Sequence, residues 1–243
     1  LGVDHVEAHL LAGLLDGEDV TWPAVGLAVS GGHTTLYHME GPLQLERLGG
    51  TIDDAAGEAF DKAATMLELG YPGGPLLDEL AEAHPGEPTI RLPISLLRRD
   101  SLDFSFSGVK TAMLYAIRGT PVRRNGETIF PREASELSTA EQADLAASFR
   151  GAVVAALMRK TDAAVERTGA RTVLAGGGVV ANRLLRRELE EYARKRGLGL
   201  HLPRMDLCVD NAAMLAVSAH HRLVRGDRDP LSITAQPTSR GRA

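Results

Sequence analysis

The segment from Arg171 to Val224 alternates in a way that admits few architectures. Arg171 to Ala175 reads as an apolar strand and Gly176-Gly177-Gly178 as a turn. Residues 179–196 then read as a helix, the stretch around His201 as a short strand, and Asn211 to Val224 as a second helix. Strand, glycine turn, helix, strand, helix is an α/β signature. An earlier apolar run, residues 24–30, stops at Gly31-Gly32 and reads as a buried strand with a tight turn. Thr34 to His38 and Leu43 to Leu48 look like further strands, with Glu40-Gly41-Pro42 as a hairpin signal. Strands joined so closely run antiparallel, so the sheet is expected to be mixed.

The remaining segments read mostly as helices. Residues 3–15 form one. Asp53 to Lys62 forms another, whose acidic start suits the helix dipole. Tyr71-Pro72-Gly73-Gly74-Pro75 breaks it, and a helix is expected over 76–83. Residues 85–106 read as an irregular excursion, Ser107 to Ile117 as a helix capped by Ser107, and 119–136 as a polar loop. Ser138 opens a long helix to about Arg167, with Glu141 completing a capping box. The tail from Gly226 is expected to be ordered only in part.

Composition narrows the class. The 243 residues are 44% hydrophobic and 24% charged, an ordinary globular balance. No apolar run approaches the roughly 20 residues a membrane span needs, so no membrane partner is expected. The first residues, with Asp4 and Glu7, do not form a signal peptide. The chain enters directly into a ligand-like motif at Leu1, which leads us to expect further sequence upstream. The single cysteine, Cys208, rules out an internal disulfide framework and fits a reducing compartment; it reads as a small buried hydrophobe. A net charge of −5 argues against wholesale nucleic-acid binding. Basic residues still crowd two stretches: Arg183, Arg186, Arg187, Arg194, Lys195, Arg196 and Arg204, then Arg118, Arg123, Arg124 and Arg132. The first could hold phosphates, but interleaved Glu188, Glu190 and Glu191 favour a solvated helix face.

Several residues have the chemistry of a site. His5 and His9 stand four apart, so on a helix both imidazoles share one face and can reach one divalent cation. Asp210 could add a carboxylate, leaving coordination positions open. It could equally cap the helix beginning at Asn211. Ser30-Gly31-Gly32-His33-Thr34-Thr35 follows a strand, where glycine N–H groups can cradle an anion and the Ser30 and Thr34 hydroxyls could add donors. Gly176-Gly177-Gly178 opens a helix in the same manner, with Asn182 one turn in. It is neither a Walker loop nor a complete Gly-x-Gly-x-x-Gly pattern, since Ala181 fills the last place. Asp61 and Asp78 flank the Tyr-Pro-Gly-Gly break; a surface ion pair is the plainer reading for Asp61.

Taken in order, these motifs form a set. They are His-Val-Glu-Ala-His, Val-Ser-Gly-Gly-His-Thr, Asp-Asp-Ala-Ala-Gly-Glu-Ala-Phe-Asp-Lys, Tyr-Pro-Gly-Gly-Pro, Asp-Phe-Ser-Phe-Ser-Gly-Val-Lys-Thr, Gly-Gly-Gly-Val-Val-Ala-Asn and Asp-Asn-Ala-Ala-Met. Together they closely resemble the bacterial tRNA N6-adenosine threonylcarbamoyltransferase family, once described as O-sialoglycoprotein endopeptidases. The resemblance runs from His5 to about residue 235. It implies an actin/sugar-kinase/heat-shock-protein-like α/β fold, with a mixed sheet flanked by helices and two lobes around a nucleotide cleft. It implies a metal, iron(II) or zinc, on His5, His9 and Asp210. It implies that threonylcarbamoyl-AMP contacts Ala28, Val29, Ser30, Gly31, Gly32, Asp61, Gly74, Asp78 and Asn182. Family members begin with a first lobe that carries another phosphate loop, and that region has no counterpart here. Residues 1–210 therefore correspond to the second lobe, and 211–243 to a helix and tail returning toward the absent first one.

The implied reaction moves the threonylcarbamoyl group from its adenylate to N6 of adenosine 37, in tRNAs that read codons beginning with A. The implied partners are tRNA, a non-catalytic paralogue and a small ATPase, in the cytoplasm. No general base is assigned; His33 is reachable but reads better as structural. Three alternatives stand. A metallopeptidase would want Glu directly after the first His, where this chain has Val6, with Glu7 one place later. An O-carbamoyltransferase of the same superfamily shares the His-x3-His helix, though the Ser-Gly-Gly-His-Thr loop fits the tRNA family better. A non-catalytic binding lobe would follow from truncation.

Overall fold

The computed structural model describes residues 1–15, 17, 19–94, 100–124 and 127–235. In chain order the elements begin with α1 (His5–Leu11), β1 (Ala24–Val29), β2 (Thr34–Gly41), β3 (Gln44–Gly50), α2 (Ala56–Met66), α3 (Gly73–Glu82) and α4 (Ser107–Arg118). They continue with β4 (Val122–Arg124), β5 (Glu127–Ile129), α5 (Thr139–Thr168), β6 (Thr172–Gly176), α6 (Arg183–Arg196), β7 (Gly199–His201) and α7 (Ala212–Arg225). The main sheet has the order β3-β2-β1-β6-β7. β1 pairs antiparallel with β2 and parallel with β6, so the sheet is mixed, as expected. Helices flank it on both faces, which leaves every residue of β1 buried.

The two faces of β1 differ in size, and that difference places the site. Val25, Leu27 and Val29 enter a large core with Phe60, Leu77, Phe104, Phe106 and Phe149, under α2 to α6. Ala24, Gly26 and Ala28 alternate onto the other face, against α1. A Cβ at Gly26 would lie 3.0 Å from Leu10 Cδ1. At Gly176, on β6, it would lie 1.9 Å from the His9 carbonyl oxygen. Small residues on this face thus let α1 lie directly on the sheet, with Val6, Leu10 and Leu11 buried beneath it. α7 then closes over α1, and Met214 packs with Ala8 and Ala12.

Helix ends follow side-chain caps. Asp4 Oδ1 accepts from Val6 N and Glu7 N at 2.9 Å, starting α1. The Ser138–Glu141 capping box opens α5, which runs 30 residues and stops at Gly169 in the left-handed region (φ 64°). Five sequence expectations need correction. α2 begins at Ala56, because Asp53 instead accepts from Phe106 N at 2.8 Å, and Asp54 pairs with Lys62 and Lys110. Ser107 is the first residue of α4 and not its cap, which is Phe106. α3 starts at Gly73, earlier than expected, because Asp61 Oδ1 accepts from Gly73 N (3.0 Å) and Gly74 N (3.1 Å). Residues 119–136 hold a small β4–β5 hairpin and a 3-10 turn at Ala134–Glu136. Gly176-Gly177-Gly178 does not open α6 directly, since a 3-10 turn over Gly178–Ala181 intervenes and Asn182 is the N-cap.

The first basic stretch is largely matched by acids. Arg187 meets Glu82, Arg196 meets Asp162 and Glu166, Lys195 meets Glu191, and Arg204 meets Asp206. Arg118 pairs with Glu133, and Arg132 donates to the carbonyls of Ala116 and Ile117. Cys208 is buried, and burial pushes its thiol up. Among the described residues no helix is long and apolar enough to cross a membrane.

Candidate functional site

Helical spacing sets His5 and His9 edge to face, with ring centroids 4.6 Å apart. The chain returns to them after the 3-10 turn Met205–Leu207. There Asn211, not Asp210, caps α7, its Oδ1 accepting from Met214 N at 2.9 Å. That settles the ambiguity between two adjacent cap-capable residues and releases the exposed Asp210 carboxylate. Its Oδ1 lies 3.4 Å from His5 Nε2 and 3.1 Å from His9 Nε2. One ligand atom from each of the three residues fits within 4.8 Å of the others. Bonds of about 2.1 Å in a tetrahedral site set neighbouring ligand atoms about 3.4 Å apart, so this spacing suits a first-row divalent ion.

Electrostatics agree with the geometry. His9 is 2% exposed, and both of its ring nitrogens are buried without a hydrogen-bond partner. The 3.1 Å approach to Asp210 is an electrostatic contact without hydrogen-bond alignment. Unpaired buried nitrogens are costly, and a neutral imidazole lone pair is a metal donor. Burial, then the neighbouring His5, lowers the His9 pKa; Asp210 opposes them. Neutral imidazole is therefore favoured at pH 7. The residues present fit a divalent metal by donor type, spacing and unsatisfied nitrogens.

α7 is held in place from several sides. Ser218 Oγ donates to Glu7 Oε1 at 2.7 Å, and Arg222 Nη1 donates to the Gly2 carbonyl at 2.6 Å. Glu7, the acid between the two histidines, thus ties α1 to α7. Burial raises its pKa. Sequence reading missed this tie, because Ser218 lies 211 residues away.

The glycine loops form an adjoining wall. Gly57 N at the start of α2 donates to the Ser30 carbonyl at 3.2 Å, and a Cβ on Gly57 would sit 2.6 Å from that oxygen. Gly177 (φ 104°) passes as closely under Val29, where a Cβ would meet the Val29 carbonyl at 2.3 Å. These contacts pull the β1 loop, the β6 loop and α2 together beside His9. Gly31, Gly32 and Gly178 have open space where a Cβ would stand. The Ser30 and Thr34 hydroxyl oxygens both act as acceptors. Ser30 Oγ accepts from His33 N within its own turn, and Thr34 Oγ1 accepts from Ala56 N at 2.8 Å, tying β2 to the start of α2. Ala28 and Val29 lie inside the sheet, whereas Gly31 and Gly32 reach the surface.

A second cluster sits across α3. Asp61 joins Gly73 and Gly74 as described, and Lys62 turns instead to Asp54 and Glu58. Asp78 Oδ1 accepts from Asn182 Nδ2 at 2.8 Å, so two residues 104 apart in sequence are direct neighbours. Asn182 also caps α6 through Leu185 N, at 3.0 Å. The 3-10 turn ahead of it packs on β1 and α2, which links this cluster to the glycine wall.

The sequence model of one family, described as TsaD: tRNA N6-adenosine threonylcarbamoyltransferase, matches residues 1–217. A relative of that name from Paracidovorax citrulli (strain AAC00-1) is 46% identical over 230 residues, 95% of this chain and 62% of the relative. Another, from Trichlorobacter lovleyi, is 45% identical over 239 residues, 98% of this chain and 65% of the relative. The chain therefore spans less than two thirds of the length of these relatives. Among solved structures, T. kodakarensis HypF superposes with a TM-score of 0.62 at 16% identity, covering 93% of this chain and 37% of that one. That likeness shows the fold alone, an actin/sugar-kinase/heat-shock-protein-like lobe. With the family match running from Leu1 into the first half of α7, the chain belongs to the tRNA N6-adenosine threonylcarbamoyltransferase family.

Proposed function

We propose that this chain carries the metal site and adenylate pocket of an enzyme that transfers a threonylcarbamoyl group from threonylcarbamoyl-AMP to N6 of adenosine 37. The acceptors are tRNAs that read codons beginning with A. The convergence of His5, His9 and Asp210 beside the glycine wall carries the reading. In this reading the exocyclic amine of adenosine attacks the carbamoyl carbonyl, AMP leaves with the electron pair of the broken C–O bond, and the amine's surplus proton passes to solvent. His5, His9 and Asp210 would hold a divalent ion, iron or zinc. When bound, such an ion supplies Lewis-acid polarisation of substrate oxygens and an anchor for the threonyl carboxylate or hydroxyl. Gly31, Gly32 and Gly178 offer backbone close to the adenylate and leave room for it. The Asp61 and Asp78 carboxylates accept from ribose hydroxyls. His33 remains structural, next to a turn that its own N–H helps close.

Residues 1–210 form one lobe in this reading. Residues 211–243 form the second part in this reading, of which 236–243 lie outside the described residues; the exposed Leu215, Leu223 and Val224 of α7 would face the part of the relatives that this chain does not span. tRNA, a non-catalytic paralogue and a small ATPase are the partners, in the cytoplasm. Nothing favours the metallopeptidase reading, since Glu7, the acid it needs, is engaged by Ser218. The HypF likeness carries no reaction with it.

The test is transfer of labelled threonine from threonylcarbamoyl-AMP to tRNA. Unsubstituted protein is expected to transfer. His9→Ala and Asp210→Ala are expected to lose at least about 100-fold, the order expected when a metal ligand is removed. Turnover at the normal rate by either variant would overturn the site.

A further inference from the structure

Asp78 and Asn182 are only 7% and 8% exposed, so what holds them decides what they can offer a ligand. Arg150, from the middle of α5, is equally buried and reaches both acids on one face of α3. Its Nη1 donates to Asp78 Oδ1 at 3.0 Å and to Glu82 Oε1 at 2.5 Å. Asp78 Oδ1 thus has two donors, Arg150 and Asn182. Among the described residues Oδ2 accepts one hydrogen bond, from the backbone N of Arg183 at a long 3.3 Å, with the half-exposed Arg183 guanidinium 3.9 Å away. A carboxylate oxygen accepts about two hydrogen bonds, so Oδ1 is full and Oδ2 keeps capacity for a ligand hydroxyl. Glu82 is held in turn by Arg187 of α6, at 2.9 and 3.1 Å, so Arg150 cannot swing away. The result is a frame across α3, α5 and α6.

We propose that Arg150 is a positioning residue for the nucleotide: it pins Asp78 Oδ1 inward against Asn182 and so presents Oδ2 to the ligand. The inference rests on the adenylate-pocket reading above. Arg150 touches no ligand itself and acts through Asp78. Among the described residues, His5, His9 and Asp210 share no hydrogen bond or ion pair with this frame.

AMP is the probe, titrated calorimetrically into the chain and its variants, with zinc loading and thermal melts measured on the same samples. Arg150→Gln is expected to weaken AMP binding about 10- to 100-fold, the usual effect of removing the partner that orients a ligand-binding group, and to leave zinc loading unchanged. Arg150→Gln added to Asp78→Asn should cost no further affinity, because the arginine acts through that carboxylate. A folded Arg150→Gln that binds AMP like the unsubstituted chain, or losses that add in the double variant, would overturn the proposal. Should Arg150→Gln not fold, Arg150→Lys carries the test. It keeps the charge but not the guanidinium, and weakened AMP binding with full zinc loading is expected; unsubstituted affinity overturns the proposal. Failure of the unsubstituted chain to bind AMP would overturn the pocket reading and this inference together, an outcome distinct from failure of the variants alone.

Discussion

The His5–His9–Asp210 cluster and the Asp78–Arg150–Asn182 cluster both gather charged or polar groups from distant segments, and they end in opposite states. In the first, a buried imidazole keeps both nitrogens without a hydrogen bond, while the carboxylate facing it is exposed. In the second, the carboxylate is enclosed and bonded by three donors, and the Arg150 Nε is the one buried nitrogen of the trio left without a hydrogen bond. A fold tolerates an unsatisfied buried nitrogen when something outside the chain completes it. It tolerates a buried ion only when the chain itself completes it. The first cluster therefore offers unsatisfied nitrogens to a ligand, whereas the second fixes Asp78 through Oδ1 and leaves spare accepting capacity on Oδ2 alone.

The largest effect that separates them concerns the ground beneath the first cluster. Gly176→Ala would drive a Cβ into the His9 carbonyl and lift α1 from the sheet. We expect a loss of about 4 kcal/mol or outright failure to fold, read by urea denaturation. Gly31→Ala adds its methyl to open space and should leave stability within about 0.5 kcal/mol. Equal losses at the two positions would break the distinction between packed and open glycines.

Next comes removal of a member from each cluster. Asp78→Ala leaves Arg150 short of a buried carboxylate and should cost about 3 kcal/mol. His9→Ala breaks no hydrogen bond, so it should cost under about 2 kcal/mol while abolishing metal loading. Thermal melts with parallel metal analysis test both.

A smaller effect is expected at Ser218→Ala. It removes the Glu7 tie and about 1 kcal/mol, and it should loosen metal binding about tenfold by freeing α7. Unchanged metal affinity would show that Asp210 is held without that tie.

The smallest sharpens the second cluster. Arg187, then Arg150, holds the Glu82 carboxyl down to about 2 from 4.5. A lowered folded-state value means the stabilisation is present above about pH 4.5 and is lost as pH falls toward 2. Glu82→Gln should lower stability at neutral pH, where the pairing with Arg187 and Arg150 is fully present, and flatten the acid limb of the stability profile below about pH 4.5. An unchanged acid limb would contradict the pairing.

The same contrast explains what the sequence made legible. His5 and His9 could be paired from spacing alone, since four residues on a helix fix their shared face. Asp210 was reachable as a candidate, yet the choice between cap and ligand was open because Asn211 beside it caps equally well. The mixed sheet followed from short connections between strands. Arg150 was not legible as a partner of Asp78, because the two lie 72 residues apart and only α3–α5 packing unites them. A charged residue amid Phe149, Ala152 and Val153 on a buried helix face was the signal available. The start of α2 was misplaced for a related reason: Asp53 and Asp54 look like dipole partners, but α4 claims both. Local propensity sets an element's existence, and distant partners move its ends.

The central claim is that the two imidazoles and the Asp210 carboxylate hold one divalent ion. Elemental analysis after exposure to Zn²⁺ or Fe²⁺ and exhaustive dialysis tests it most directly. About one ion per chain is expected in the unsubstituted protein, and none in folded His9→Ala or Asp210→Ala. Full metal content in either variant, or none in the unsubstituted chain, would contradict it.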